Sequence, residues 1–152
     1  IERPLATRYT LSLNNDHSFD IKKLTRIIKN TFKETGFSFI YSFEYVENKG
    51  LHLEMMIVTD QSKYSPEQVR KVLIKALINM DGVVITTEND YIKLALNYHE
   101  VKREYLETGV KAGHNLKNEV HFKACVHRAS YLAKQDNKQQ VQYKKKFGTI
   151  TG

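Results

Sequence analysis

Hydrophobic and polar positions change rhythm several times along this chain, and each change marks an element. From Phe37 to Val46 the run Phe-Ser-Phe-Ile-Tyr-Ser-Phe-Glu-Tyr-Val is rich in aromatic and β-branched residues. Gly50-Leu-His-Leu-Glu-Met-Met-Ile-Val58 repeats the pattern, with Asn48-Lys49-Gly50 as a turn signal between. Both runs predict strands, and the short Gly-bearing loop predicts a hairpin over 37–59. The period lengthens in Asp20 to Thr35, where Ile21, Leu24, Ile28 and Phe32 recur at helical spacing. Lys22, Arg26, Lys29 and Lys33 form a basic stripe on that helix, read as solvated surface. Ser65-Pro66-Glu67-Gln68 is a capping box with proline at the first helical position. It opens a second helix, running to about Met80. Residues 6–13 read as a strand, and Asp81-Gly82 turns into a further strand over Val83–Thr87.

The resulting order is βαββαβ. It predicts an α+β fold with a ferredoxin-like (RRM-like) antiparallel sheet and two helices on one face. Residues 121–135 form another helix, with Phe122, Cys125, Val126, Ala129, Leu132 and Ala133 as its apolar stripe. His127, Tyr131 and Lys134 lie at i, i+4 and i+7, away from that stripe. The open sheet face is expected to hold polar hairpin residues and to receive this Tyr-bearing helix. Between the two parts, Tyr91 to Leu106 suits a strand followed by a helix, and Gly109 to Asn118 suits a loop. Residues 1–136 are expected to form one domain, and 137–152 a basic C-terminal tail.

Chemistry enters through parity. Alternation along the strand puts His52 and Glu54 on one face. A turn centred on residue 48 or 49 brings Glu44 opposite one of them. One nitrogen and two carboxylates suit a hard divalent ion, Mg²⁺ or Mn²⁺, rather than a sulfur-loving one. The bland alternative is an exposed hairpin face that carries His and Glu because it meets water. Tyr131-Leu-Ala-Lys134 adds a nucleophile one helical turn from a cation. Its bland alternative is a surface tyrosine beside a surface lysine. Together the two groups point to phosphodiester chemistry through a tyrosine.

Charge sharpens this picture. The net charge is +7. Residues 1–60 carry eight basic and eight acidic residues, 61–100 five of each, and 101–152 eleven against four. The whole excess therefore surrounds the Tyr131 helix and Lys144-Lys145-Lys146, as phosphate-backbone binding requires. A solvated tail is the alternative for those lysines. The single cysteine, Cys125, excludes an internal disulfide and reads as a buried thiol in a reducing cytoplasm. No run is long and apolar enough to span a membrane, and no signal peptide is visible. The start at Ile1 reads as trimmed.

In order, Tyr9-Thr-Leu-Ser-Leu13, Glu44 with His52-Leu53-Glu54, and Tyr131-Leu-Ala-Lys134 resemble the three motifs of the HUH endonucleases. The resemblance is to the single-tyrosine rolling-circle replication initiators of phages, plasmids and satellite elements, and covers residues 8 to about 136. Glu54 stands where the family has its second histidine. The 76 residues between Glu54 and Tyr131 exceed what compact viral members would have. The resemblance implies a metal-dependent nicking endonuclease and strand transferase that cuts and rejoins single-stranded origin DNA. It would act through a 5′-phosphotyrosine, a covalent protein–DNA linkage that initiates DNA replication in a bacterial host cytoplasm. Tyr131 would be the nucleophile and Lys134 its cationic assistant. Glu44, His52 and Glu54 would bind Mg²⁺ or Mn²⁺. His127, Arg128, Lys144, Lys145 and Lys146 would touch DNA, and a fused or host helicase would be a partner. Two other readings use the same residues. A non-catalytic RRM-like single-stranded nucleic-acid-binding module would stack bases on Phe39, Tyr41, Phe43 and Tyr45. A metal-dependent hydrolytic nuclease would use water in place of Tyr131.

Overall fold

The computed structural model describes residues 1–88, 91–99, 114–117, 119–132, 141–143 and 145–152. Strand β1 (Pro4–Ser12) leads to helix α1 (Ile21–Phe32), then to the hairpin β2 (Phe37–Val46) and β3 (Gly50–Asp60). Helix α2 (Pro66–Leu77) follows, then the short strands β4 (Ile85–Glu88), β5 (Tyr91–Leu94), β6 (Leu96–His99) and β7 (His114–Asn115). Helix α3 (Glu119–Leu132) and strand β8 (Phe147–Thr151) complete the described elements. The main sheet has the order β6-β1-β3-β2-β8, with β7 also paired to β1, and every pairing is antiparallel. This α+β architecture is compatible with the expected ferredoxin-like arrangement.

Local signals explain the element ends. Asp20 caps α1 by accepting from the Lys22 and Lys23 amides. Ser65 and Gln68 close a reciprocal capping box on α2, with Pro66 at its start. Leu24, Ile28 and Phe32 of α1 and Val69, Leu73 and Leu77 of α2 are buried. They meet the odd-numbered side chains of the sheet: Tyr9 and Leu11, Phe39 to Phe43, and Leu51 to Ile57. Phe39, Tyr41 and Phe43 are therefore core residues, and offer no stacking surface for bases.

The even-numbered side chains form the opposite face. There Ala6, Met56, Cys125 and Leu132 make a second, smaller core, flanked by Ile40, Val58, Ala129 and Phe147. Helix α3 thus lies on the sheet face away from α1 and α2. The central strand β3 is covered on both faces, so its polar residues are enclosed along with its apolar ones.

Three expectations change. The segment over Val83–Thr87 does not join the main sheet. Its β4 pairs with β5 as a separate two-stranded sheet, and Val83 makes only a single bridge to Leu13. The edge beside β1 belongs to β6. β-Propensity foretells a strand but not its partner. The α3 stripe is also narrower than expected: of its residues Cys125 and Leu132 are buried and Ala129 half-buried, while Phe122 and Val126 are 49% and 53% exposed. The Cys125 Sγ lies 3.5 Å from Met56 Sδ, a close approach that small residues permit. Finally, part of the expected basic tail is structured. Phe147–Thr151 pairs with β2, and Val141 is buried in the main core. Among the described residues, no helix is long and apolar enough to cross a membrane.

Candidate metal centre

The hairpin register creates the site. Val46 pairs with Gly50, leaving residues 47–49 as the loop. Gly50 has φ +78°, a left-handed conformation that glycine takes without a Cβ penalty. Asn15 Oδ1 accepts from the Leu51 amide at 2.8 Å and steadies this end of β3. Glu44 consequently sits opposite His52, and Ser42 opposite Glu54. From the other side β1 places Ser12 opposite His52 and Thr10 opposite Glu54.

The ligand atoms of Glu44, His52 and Glu54 all lie within 4.8 Å of one another. His52 Nε2 is 3.4 Å from Glu44 Oε2 and 3.6 Å from Glu54 Oε1. His52 Nδ1 lies 3.3 Å from the Gly50 carbonyl oxygen. A hydrogen bond from Nδ1–H to that carbonyl turns Nε2 toward the carboxylates, the orientation a metal-ligating imidazole needs. Burial of His52 opposes its protonation. The hydrogen bond to Glu44, the Gly50 contact and the charges of Glu54 and Glu44 outweigh burial, and raise its pKa above the ordinary 6.5. Protein bonds of about 2.0–2.2 Å to one ion would put adjacent ligand atoms about 3 Å apart. The two spacings to Nε2 are close to that, so the three residues could hold a metal ion.

Glu54 is held by further donors. Thr10 Oγ1 donates to its Oε2 at 2.8 Å, and Arg8 Nη2 does so at 3.2 Å. His52 and Glu54 are only 8% and 7% exposed, so both are screened from water far more than hairpin-surface residues would be. The Ser42 hydroxyl and Arg8 Nε are buried with no hydrogen-bond partner among the described residues. Ser42 stands opposite Glu54 on β2, where an unused hydroxyl suits a bound water.

Glu44, His52 and Glu54 are thus brought together as their parity suggested. Tyr131 lies in α3, as do His127 and Arg128, and the side chains of these three are outside the described residues. Lys134 and Lys144 lie outside the described residues altogether, as do 101–113, which include half of the expected 109–118 loop. Lys145 is exposed and Lys146 half-buried where the chain enters β8, and the Lys146 carbonyl accepts from the Phe43 amide at 2.8 Å.

The other tyrosines narrow the choice of nucleophile. Tyr9, Tyr41, Tyr45, Tyr64, Tyr98 and Tyr143 all pack with the α1–α2 core, on the far side of the sheet from His52. Burial raises the pKa of Tyr9 and Tyr41 above 10.0. Tyr143, stacked on Phe43 at 4.0 Å, is pushed up to about 12 chiefly by burial. Tyr91, Tyr105 and Tyr131 remain from the nine.

Arg8 was not legible as a site residue. Its signal is parity with Thr10 and Ser12 on β1, which means something only once β1 is known to neighbour β3. Comparison of the chain with protein-family models, with curated proteins and with solved structures finds no match.

Proposed function

We propose that this domain is a metal-dependent nicking enzyme of the HUH type, cutting and rejoining single-stranded DNA through Tyr131. The observation that carries this reading is the enclosed Glu44–His52–Glu54 cluster on the sheet face against which α3, the helix containing Tyr131, is packed. Six of the other tyrosines lie on the opposite face. The ferredoxin-like sheet with a Tyr-bearing helix on its open face is the arrangement this chemistry needs.

Glu44, His52 and Glu54 would hold Mg²⁺ or Mn²⁺, which when bound supplies charge to polarise a phosphate oxygen. The chain supplies the rest. The Tyr131 oxygen loses its proton and attacks the scissile phosphorus. The bond from phosphorus to the 3′ oxygen breaks, and that oxygen takes up a proton as a free 3′ hydroxyl. The 5′ phosphate stays esterified to Tyr131, which conserves the bond for rejoining. A tyrosine of ordinary pKa, about 10, is a poor nucleophile at neutral pH. Lys134, one turn along by sequence, would offset charge growing on the phosphate or phenolate. His127, Arg128 and Lys144 to Lys146 would contact the DNA backbone. Origin DNA is the proposed partner and a bacterial cytoplasm the proposed setting, with a helicase acting beside it.

The test is incubation with a single-stranded origin library and Mn²⁺, followed by denaturing electrophoresis. Wild type should form a covalent protein–DNA adduct. Tyr131→Phe removes one oxygen and leaves the ring, so folding and DNA binding should survive while cleavage and adduct disappear. Lys134→Ala should slow both without abolishing them. An adduct on Tyr131→Phe would assign the chemistry to another tyrosine. Cutting without an adduct would make water the nucleophile and the protein a hydrolytic nuclease. Binding without metal dependence or cutting would leave an RRM-like module.

A further inference from the structure

We propose that Arg8 is a positioning residue of the ion site. It claims one oxygen of Glu54 and balances one carboxylate charge, so that Glu54 offers the ion a single oxygen and Ca²⁺ is disfavoured. This inference rests on the metal reading above and deepens it. The geometry divides the Glu54 carboxylate in two. Oε2 receives Thr10 Oγ1 at 2.8 Å and Arg8 Nη2 at 3.2 Å. Oε1 is the oxygen that faces His52 Nε2, at 3.6 Å. Two donors on Oε2 occupy the lone pairs that bidentate ligation would need.

Charge makes the same division. Two carboxylates in a mostly buried cluster are costly to hold together, and a paired cation lowers that cost. With His52 neutral, Glu44 and Glu54 contribute −2 and Arg8 restores the site to −1. Arg8 is placed for this by register. It lies opposite Met56 and two residues before Thr10, so its side chain shares the face of Glu54. Ca²⁺ takes six to eight oxygens and favours bidentate carboxylates, whereas Mg²⁺ and Mn²⁺ accept one oxygen from each. Holding back Oε2 therefore selects against Ca²⁺.

The test uses the intact chain, titrated with MnCl2 and with CaCl2 by calorimetry, with thermal unfolding followed in parallel. Arg8→Gln should lower the unfolding midpoint of the metal-free protein. It should tighten Mn²⁺ binding by about tenfold, because a repelling charge is gone. It should tighten Ca²⁺ binding by more than that, because Oε2 becomes available. Saturating Mn²⁺ should restore most of the lost midpoint. Arg8→Lys, which keeps the charge, should stay within about twofold of wild type for Mn²⁺; it also carries the test should the glutamine variant fail to fold. Unchanged Mn²⁺ and Ca²⁺ affinities in Arg8→Gln, with the same midpoint loss with and without metal, would reduce Arg8 to a structural ion pair and overturn the proposal. A shift in Arg8→Lys beyond about twofold would overturn the charge argument. If wild type takes up no Mn²⁺, or His52→Ala takes it up equally, the metal reading itself fails and this inference falls with it.

Discussion

A single carboxylate, Asp60, ties the start of the chain and the turn after β3 together. Its oxygens accept from the Glu2 and Arg3 amides at 3.3 and 3.1 Å, and from the Ser62 amide and hydroxyl at 3.0 and 2.6 Å. The Ser62 hydroxyl bond, with the amide bonds behind it, outweighs burial and holds the Asp60 pKa near 2, against 3.8 for an ordinary aspartate. A lowered folded-state pKa stabilises the fold above the unfolded value and is lost as pH falls toward the folded one. Unfolding free energy should therefore drop between about pH 4 and pH 2 in wild type, and drop less steeply in Asp60→Asn. Urea titrations across that window decide it, and parallel slopes would refute the assignment. The metal candidates were readable at this same scale because strand parity is a property of one segment. His52 and Glu54 share a face however the sheet is ordered, and a short loop fixes Glu44 across from them. Arg8 and Thr10 were different, since their nearness to Glu54 depends on β1 lying beside β3, a long-range pairing no local pattern encodes.

Elements with strong local signals emerged where the sequence placed them. The α1 stripe, the α2 capping box and the hairpin turn are each written within a few residues. The failures came where an element's identity was local but its partner was not. The β-branched run after Gly82 makes a strand that pairs with β5, and β6 takes the sheet edge instead. Helix α3 docks through Cys125, Ala129 and Leu132 of the expected stripe, whereas its larger members Phe122 and Val126 stay exposed, because the small residues allow closer docking. That docking gives an element-scale prediction. Leu132 is fully buried in the second core, next in sequence to Tyr131. Leu132→Ala removes side-chain contacts whose deletion from buried sites costs about 2–5 kcal/mol. Its effect should concentrate on α3, raising hydrogen exchange over 119–132. Adduct formation should slow by about tenfold or more, since misplacing a nucleophile by an ångström is costly. Mn²⁺ affinity should stay within about twofold, because β2 and β3 carry the proposed ligands. Loosened α3 amides with an unchanged adduct rate would show that α3 does not position the nucleophile.

At the scale of the whole molecule, the charge imbalance and the fold meet at the C-terminal segment. All seven excess positive charges fall in residues 101–152. Lys145 and Lys146 lie close to anchored residues. Tyr143 stacks on Phe43 with ring planes 14° apart, and Phe147–Thr151 is hydrogen-bonded to β2, the strand that carries Glu44. Lys145 and Lys146 are therefore tied to the sheet edge at β2 rather than trailing from it. Each neutralised phosphate of a single strand contributes about 0.7 to the slope of log affinity against log salt. Replacing the three lysines by glutamine should reduce that slope by about two, and weaken binding most at low salt. Backbone pairing survives the change, so the fold, Mn²⁺ uptake and the cleavage rate at saturating DNA should be preserved. An unchanged slope would mean that these lysines stay solvated in the complex. A lost slope together with lost cleavage at saturation would instead place them at the scissile phosphate.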